Sequence, residues 1–481
     1  MALKEKSIVA NAFFNVLLKL ACVLFPIVSS SYIARILFSD GVGRVSAVNN
    51  NVTYFIVLAT LGIPAYGIRE VAKRKNDKTK LNELFSELIL INTGLTIVSC
   101  LIFIIALVTI PIFKQDMQLY LIYGIAIVLN FVNIEWVFYG LEEYKFLTIR
   151  SIIFKLLSLL LLFLLVHSKS DIYYFAAISV FGMCGNYFSS LFRARKYVRF
   201  TKKTLAIKQH IKPLFFLSLC SISTELYARM DITMLNIIKN DSIVGYYSYS
   251  HRVINLLIAF LTAVTAVLLP RLSFYYKNDR PKFDKLMKFG TEATVFISLP
   301  TAVGLVLISS QFLTVLFGEE FIQAKMILCI LTPIIPLKVI GDLVCYQIMI
   351  CSGNESNLMK SYLLVMIVNF VINILLIPQF SAEGAALASV ISEILAFLFV
   401  FRYSKQYLRF HIDVKNIFIL IISLLIMSAA IMIINKLALN SFALLVIDVV
   451  VGGILYFSIN YLAKNRILLD VIKQVKMRNK K

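Results

Sequence analysis

Fourteen apolar runs, each about as long as a bilayer is thick, leave this chain almost no choice of fold class. They cover about 8–33, 43–65, 84–112, 118–140, 147–167, 172–192, 213–237, 244–269, 287–309, 322–350, 361–379, 384–401, 416–436 and 441–463. A hydrocarbon core about 30 Å thick needs about 20 residues of helix. Inside it every backbone amide must find a partner within its own segment, which a lone strand cannot provide. Of the 481 residues, 60% are apolar, against about 45–50% in soluble domains, a surplus no soluble core could hide. The expected fold is an all-α integral membrane protein of about fourteen transmembrane helices.

The net charge of +22 is concentrated between these runs, which excludes both a disordered chain and a nucleic-acid-binding module. The N-terminus and every second connection after it hold 36 Lys and Arg, and the other connections hold six. Basic residues mark the cytoplasmic side, so both termini are expected there. The same basic connections attract anionic headgroups, and none is read as a specific ligand site. The opening MALKEKSIVANAFF enters its apolar run with no small-residue cleavage site, so the first run is expected to be retained. All seven cysteines lie within or at the ends of apolar runs without C-x-x-C spacing, and read as small buried hydrophobes.

A basic decapeptide occurs twice. Residues 75–84 read KNDKTKLNEL and residues 277–286 read KNDRPKFDKL, 202 positions apart. The same offset aligns Arg69 with Arg271, Val42-Gly43 with Val244-Gly245, and Ser46 with Ser248. Six spans separate equivalent points, and an even number keeps both copies in one orientation. This is the pattern of two parallel six-helix lobes with a substrate site between them near the midplane. Residues 1–200 and 201–410 are the expected lobes, 411–465 two appended helices, and 466–481 a basic cytoplasmic tail.

Ionisable groups inside a span cost about 2.5–3.5 kcal/mol each on insertion scales and face a bundle interior or a wet cavity. The first span places Lys19 near its middle with Asn11 and Asn15 on the same face, followed by Pro26, an expected kink; the second carries Asn49, Asn50 and Asn51. The seventh, SLCSISTELYARMDITML, is the most polar. In it Glu225 and Arg229 are four apart and can pair along the helix, with Asp231 on another face. The eighth begins GYYSYSHRVIN with Arg252. With a turn at 238–243, Arg229 and Arg252 lie at one depth, about 12 Å below the outer surface, an arrangement suited to a phosphate or pyrophosphate. Lys338 and Asp342 are also four apart and can neutralise each other, leaving Glu393 and Asp448 as lone acids. Lys19, Asn15, Asn50, Arg229 and Arg252 are therefore the candidate substrate contacts, and Glu225, Asp231 and Glu393 the carboxylates whose depth suits H+ or Na+ coupling.

Read together, NAFFNVLLKL with Asn15 and Lys19, Pro26, the YIARILFSDGVG turn with Arg35 and Gly43, the LGIPAYGIREVA close of the second span and MDITML…VGYYSYSHRV with Asp231 carry a resemblance. The chain resembles the polysaccharide flippases, the Wzx-like repeat-unit transporters of the multidrug/oligosaccharidyl-lipid/polysaccharide superfamily, over at least its first twelve helices. The resemblance implies a MATE-like pair of lobes and movement of an undecaprenyl-pyrophosphate-linked glycan between leaflets of a bacterial plasma membrane. It also implies service to O-antigen, capsule or exopolysaccharide synthesis, with polymerase and assembly proteins as partners and no nucleic acid. The family's lumen is cationic, whereas the embedded charges here nearly balance.

Two rivals remain in view. A multidrug or cation antiporter of the same fold calls for an acidic, aromatic-lined cavity, against which Lys19 and Arg252 argue. A membrane-bound glycosyltransferase or polymerase calls for a long outer catalytic segment, and the longest expected outer loop, around SSQFLTVLFGEEF, has about thirteen residues. No phosphate loop, nucleotide motif, metal or other cofactor site is read, so the chain is expected not to be an enzyme. Transport energy would come from an ion gradient, substrate supply or downstream consumption.

Overall fold

A computed structural model describes residues 8–201, 205–266, 268–409 and 414–469, and of 8–17, 19–24, Cys220, Val264, Glu355 and Val414 the backbone alone. The residues form two compact units, one ending at Gly245 and the other beginning at Tyr246.

The first unit contains α1 (Ile8–Thr60), α2 (Ile63–Arg74), α3 (Lys78–Thr109), α4 (Pro111–Gln115), α5 (Met117–Val128), α6 (Glu135–Gly140), α7 (Tyr144–Leu165), α8 (Ile172–Ala194) and α9 (Lys208–Ile238). Helix α10 (Asp241–Ala266) carries the chain into the second unit. There follow α11 (Leu269–Asn278), α12 (Arg280–Leu307), α13 (Ser309–Phe317), α14 (Lys325–Leu331), α15 (Ile334–Gly341), α16 (Ile348–Cys351), α17 (Glu355–Ser404), α18 (Val414–Ile434) and α19 (Ser441–Leu462). Among the described residues there is no strand, and nine helices are long and apolar enough to cross a membrane. Their surfaces need one: Ile97, Leu101, Ile104, Ile105 and Val108 of α3 stand exposed, and Leu425 of α18 is 64% exposed. In water so large an apolar surface would drive aggregation; in lipid it is at home. The protein is an all-α integral membrane protein.

Two pairs of expected spans are joined without a loop. Helix α1 contains the first two, broken at Phe38 (φ 56°, ψ −171°), and α17 contains another two, broken at Ser381 (φ 56°, ψ −133°). Positive φ is costly for residues with a side chain, so each break is set by its surroundings. Pro26, the expected kink, lies inside α1, and the non-helical φ/ψ comes later, at Phe38. The expected outer loop SSQFLTVLFGEEF is also corrected: it folds as α13 and a short 3-10 turn, because Leu313, Phe317 and Phe321 share a buried face. Cys100, Cys184, Cys329, Cys345 and Cys351 are free thiols.

The decapeptides are helix starts. Asp77 caps α3 and Asp279 caps α12; behind them Leu81 and Phe85 in one copy, and Phe283 and Met287 in the other, are buried at matching positions. The first set joins a core with Tyr66, Val71, Trp136 and Phe138, the second a core with Leu272, Leu343, Ile348 and Met349. Helices α18 and α19 pack on α12 through Phe296, Met427, Ile431 and Tyr456, whose hydroxyl donates to the Phe296 carbonyl at 2.7 Å.

The flanking glycines make a reciprocal contact inside the first unit. A Cβ on Gly43 would lie 1.8 Å from the carbonyl oxygen of Asp241, and one on Gly245 would lie 2.0 Å from that of Ser39. Gly43 and Gly245 are 202 apart, and so are Ser39 and Asp241. The repeat therefore preserves both sides of a backbone-on-backbone crossing that only glycine permits.

Candidate functional site

Helix α9 sets Glu225, Arg229 and Thr233 at intervals of four, which places them along one face. Glu225 accepts from Arg229 Nε at 2.7 Å, with both side chains partly exposed. Opposite them is the Asn run of α1. Asn50, 1% exposed, donates to the Arg229 carbonyl at 3.2 Å and to Thr233 Oγ1 at 2.8 Å. Tyr54 Oη meets the same Thr233 oxygen at 2.9 Å. Asn51 donates to Tyr120 Oη at 2.8 Å and lies 3.4 Å from Asn236 Oδ1. Asn50 Oδ1 is buried with no partner. The result is a stripe of amides, hydroxyls and one compensated guanidinium between two helices of the first unit. Such groups recognise a polyhydroxylated or anionic solute by hydrogen bonds. Further along α1, Arg44 pairs with Asp116, its Nε 3.1 Å from Oδ1.

Asn50, Glu225 and Arg229 are thus brought together, and Asp231 is buried on a different face of α9. Helix α1 runs through Asn15 and Lys19, whose side chains lie outside the described residues. Arg252 and Glu393 belong to the second unit. Arg252 places its guanidinium 4.8 Å from the Tyr249 ring centroid, a cation–π contact. His251 stacks on Tyr247, whose hydroxyl meets Ser389 Oγ at 3.0 Å.

One pairing differs from expectation. Lys338 bonds Glu393 at 2.9 Å, across from α15 to α17, so Glu393 is not a lone acid. Asp342, the expected partner, accepts instead from Thr265 Oγ1 at 2.6 Å and Gln347 Nε2 at 2.8 Å. Asp342 opens a π-helical turn, Asp342–Gln347, whose wider spacing brings Gln347, five residues on, to the carboxylate that Lys338 was expected to meet. Asp448 is a buried unpartnered acid: it is 1% exposed and neither carboxylate oxygen has a hydrogen bond. Among the described residues no three His, Cys, Asp or Glu side chains converge as a metal site.

A second buried polar group escaped the sequence reading. Tyr66 Oη lies 2.7 Å from His210 Nδ1, His210 Nε2 lies 2.7 Å from Glu87 Oε2, and the Ala206 N–H donates to Glu87 Oε1 at 2.7 Å. Tyr66 stands on α2, Glu87 on α3 and His210 on α9, 144 and 123 residues from the first two, and no local spacing announces the group.

Residues 8–275 match the polysaccharide biosynthesis protein family. A protein of Escherichia coli K12 described as an O-antigen transporter is 21% identical over 378 residues, covering 77% of this chain and 90% of that one. Among solved structures, a lipid II flippase in an inward-closed conformation covers 94% of this chain and 98% of its own, with a TM-score of 0.77 at 16% identity. An inward-facing multidrug MATE transporter covers 80% of this chain and 93% of its own, with a TM-score of 0.58 at 14% identity. At these identities the two structures establish the fold.

Proposed function

The chain belongs to the polysaccharide biosynthesis protein family, and we propose that it is a flippase for a lipid-linked oligosaccharide repeat unit. The cargo is a polyprenyl-pyrophosphate-linked glycan, carried across a bacterial plasma membrane for surface polysaccharide synthesis and handed to a polymerase and its assembly proteins. The observation that carries this reading is the likeness to the O-antigen transporter over 90% of that protein's length. The polar stripe of α1 and α9 supports it.

The physical task is to move a polar head through hydrocarbon. Sugar hydroxyls and pyrophosphate left unbonded there would cost several kcal/mol per group, whereas the polyprenyl tail can stay in lipid. Asn15 and Asn50 supply amides for the sugar, and Lys19, Arg229 and Arg252 supply cations for the pyrophosphate. Alternating rocking of the lobes, residues 1–200 and 201–410, exposes the cargo first to one leaflet and then to the other. Both termini are cytoplasmic in this reading, and the likeness to an O-antigen transporter supports movement from inner to outer leaflet. Glu225, Asp231 and Glu393 are the candidates for H+ or Na+ coupling. No bond of the cargo is made or broken.

Deleting the gene should leave one lipid-linked glycan accumulating on the cytoplasmic leaflet, and the wild-type chain should clear it. Lys19→Ala and Arg252→Ala should each impair clearance at normal membrane abundance. Arg252→Lys should be milder if charge dominates, and nearly as harmful if the flat bidentate fork grips the phosphates. A deletion that accumulates no glycan but sensitises cells to cationic drugs would overturn the flippase reading for the antiporter one.

A further inference from the structure

Helices α7 and α8 of the first unit leave a groove of about 500 Å³ at the end where their basic residues lie. Its floor is Arg150, 5% exposed, which donates to Glu135 and to Ser190 Oγ and whose Nε has no acceptor. Phe146 carries two guanidinium groups: Arg150 Cζ is 5.4 Å and Arg193 Cζ 5.3 Å from its ring centroid. Glu135 compensates Arg150. By contrast Arg193 and Lys145 are exposed, and among the described residues no carboxylate comes within ion-pairing distance of either. Glu143 also lines the groove and accepts from Tyr197 Oη at 2.5 Å. Two exposed cations against one carboxylate leave an excess of one positive charge.

The remaining wall is apolar and lies deeper. Lys145 is the second residue of α7 and Arg193 the penultimate residue of α8. Ile149, Ile153 and Phe154 line the groove farther along α7, about 7 to 15 Å from that end at 1.5 Å per residue. Charge at the headgroup level and hydrocarbon below it is the profile of a phospholipid. Basic pockets between transmembrane helices on the cytoplasmic side bind anionic headgroups.

We propose that this groove is a binding site for an anionic membrane phospholipid. Its phosphodiester sits between Lys145 and Arg193, and one acyl chain lies along Ile149, Ile153 and Phe154. A single phosphodiester charge matches the excess. The ammonium of a zwitterionic lipid would have to enter the same positive field.

Native mass spectrometry of the full-length protein, offered equal phosphatidylglycerol and phosphatidylethanolamine in mild detergent, tests this. The wild type should retain phosphatidylglycerol preferentially. Lys145→Gln and Arg193→Gln should each weaken retention about fivefold and the pair about thirtyfold, at the usual worth of a basic residue beside headgroups. Arg193→Lys should retain it, with all variants unfolding at the wild-type temperature. Equal retention of both lipids, or undiminished retention by the double variant, would overturn the proposal. So would displacement by glycerol phosphate at matched concentration, which makes this a free-phosphate site. Displacement by polyprenyl phosphate at tenfold lower concentration would also overturn it, by placing the groove on the cargo's path.

Discussion

The two units build the corner behind their decapeptides in opposite ways. In the first, α2, α3 and α9 meet through Tyr66, Glu87 and His210, all buried and joined by bonds of 2.7 Å. Displaced by 202 residues, Tyr66 and Glu87 become Leu268 and Phe289. Leu268 packs against the apolar core of the second unit. The caps differ too. Asp77 accepts from the N–H of Thr79 at 3.0 Å and of Lys80 at 3.1 Å. Asp279 accepts from the N–H of Lys282 at 3.1 Å, since Pro281, standing where Thr79 does, has none to give. One backbone plan thus tolerates directional or non-directional closure. The directional version fixes the partners' orientation but is intolerant of losing any one of them.

The largest effect should come from breaking the polar corner. Glu87→Ala or His210→Ala strands a buried partner and should cost about 3–5 kcal/mol, read as unfolding in mixed micelles. Replacing the whole set by apolar residues, as Tyr66→Leu with Glu87→Phe and His210→Ile, should be less damaging than Glu87→Ala alone. If the triple variant is no better, the two corners are not alternative solutions.

Next come the crossing glycines, where the repeat is symmetric. Gly43→Ala and Gly245→Ala each press a methyl against a backbone oxygen that cannot turn aside, and should each cost at least about 1–3 kcal/mol. Similar losses in the two are the expected result of the same stability measurement; a large loss in one alone would break the symmetry.

Arg280 and Lys78 should separate the copies again. The Arg280 guanidinium lies 5.3 Å from the Tyr276 ring and 4.7 Å from that of Phe283, and donates to the Tyr407 carbonyl. Arg280→Ala should cost about 1.5–3 kcal/mol. Lys78 is exposed, and Lys78→Ala should stay within about 0.5 kcal/mol of wild type.

At the caps the losses should be smaller than that of Arg280→Ala. Asp77→Ala should lower the unfolding temperature more than Asp279→Ala, because Asp77 holds two N–H groups. The Lys80 N–H holds the Asp77 carboxyl below the ordinary range, and for Asp279 the main cause is the Lys282 ammonium, 2.6 Å away. A depressed carboxyl stabilises above its unfolded pKa, about 3.9, and the gain disappears as pH falls through the lower folded value. Lys80 Nζ lies 3.7 Å from Asp77, farther than Lys282 from Asp279, so salt should weaken the Asp279 contribution more than that of Asp77, measurable as the salt dependence of each variant's loss near neutral pH.

Much of the candidate site could be read where the relation was local. Glu225 and Arg229 pair because four residues is just over one helical turn. The same rule failed for Lys338 and Asp342, since Glu393 of another helix takes the ammonium while Thr265 and Gln347 take the carboxylate. Asn50 was legible as an amide inside a span, but its bond to the Arg229 carbonyl was not. Nothing in the neighbourhood of Glu87 pointed to His210.

By itself the sequence determined that the chain is helical, that it lives in a bilayer, which connections are basic and where its two copies begin. These follow from hydrocarbon, which forces every backbone bond to close locally and makes each run carry its own evidence. Only the tertiary structure decided that Lys338 belongs to Glu393, that Gly43 rests on the Asp241 carbonyl and that Tyr66, His210 and Glu87 close one corner. Side chains far apart in the chain meet only when helices pack, and that packing is set by the joint fit of many surfaces rather than by any period along the sequence.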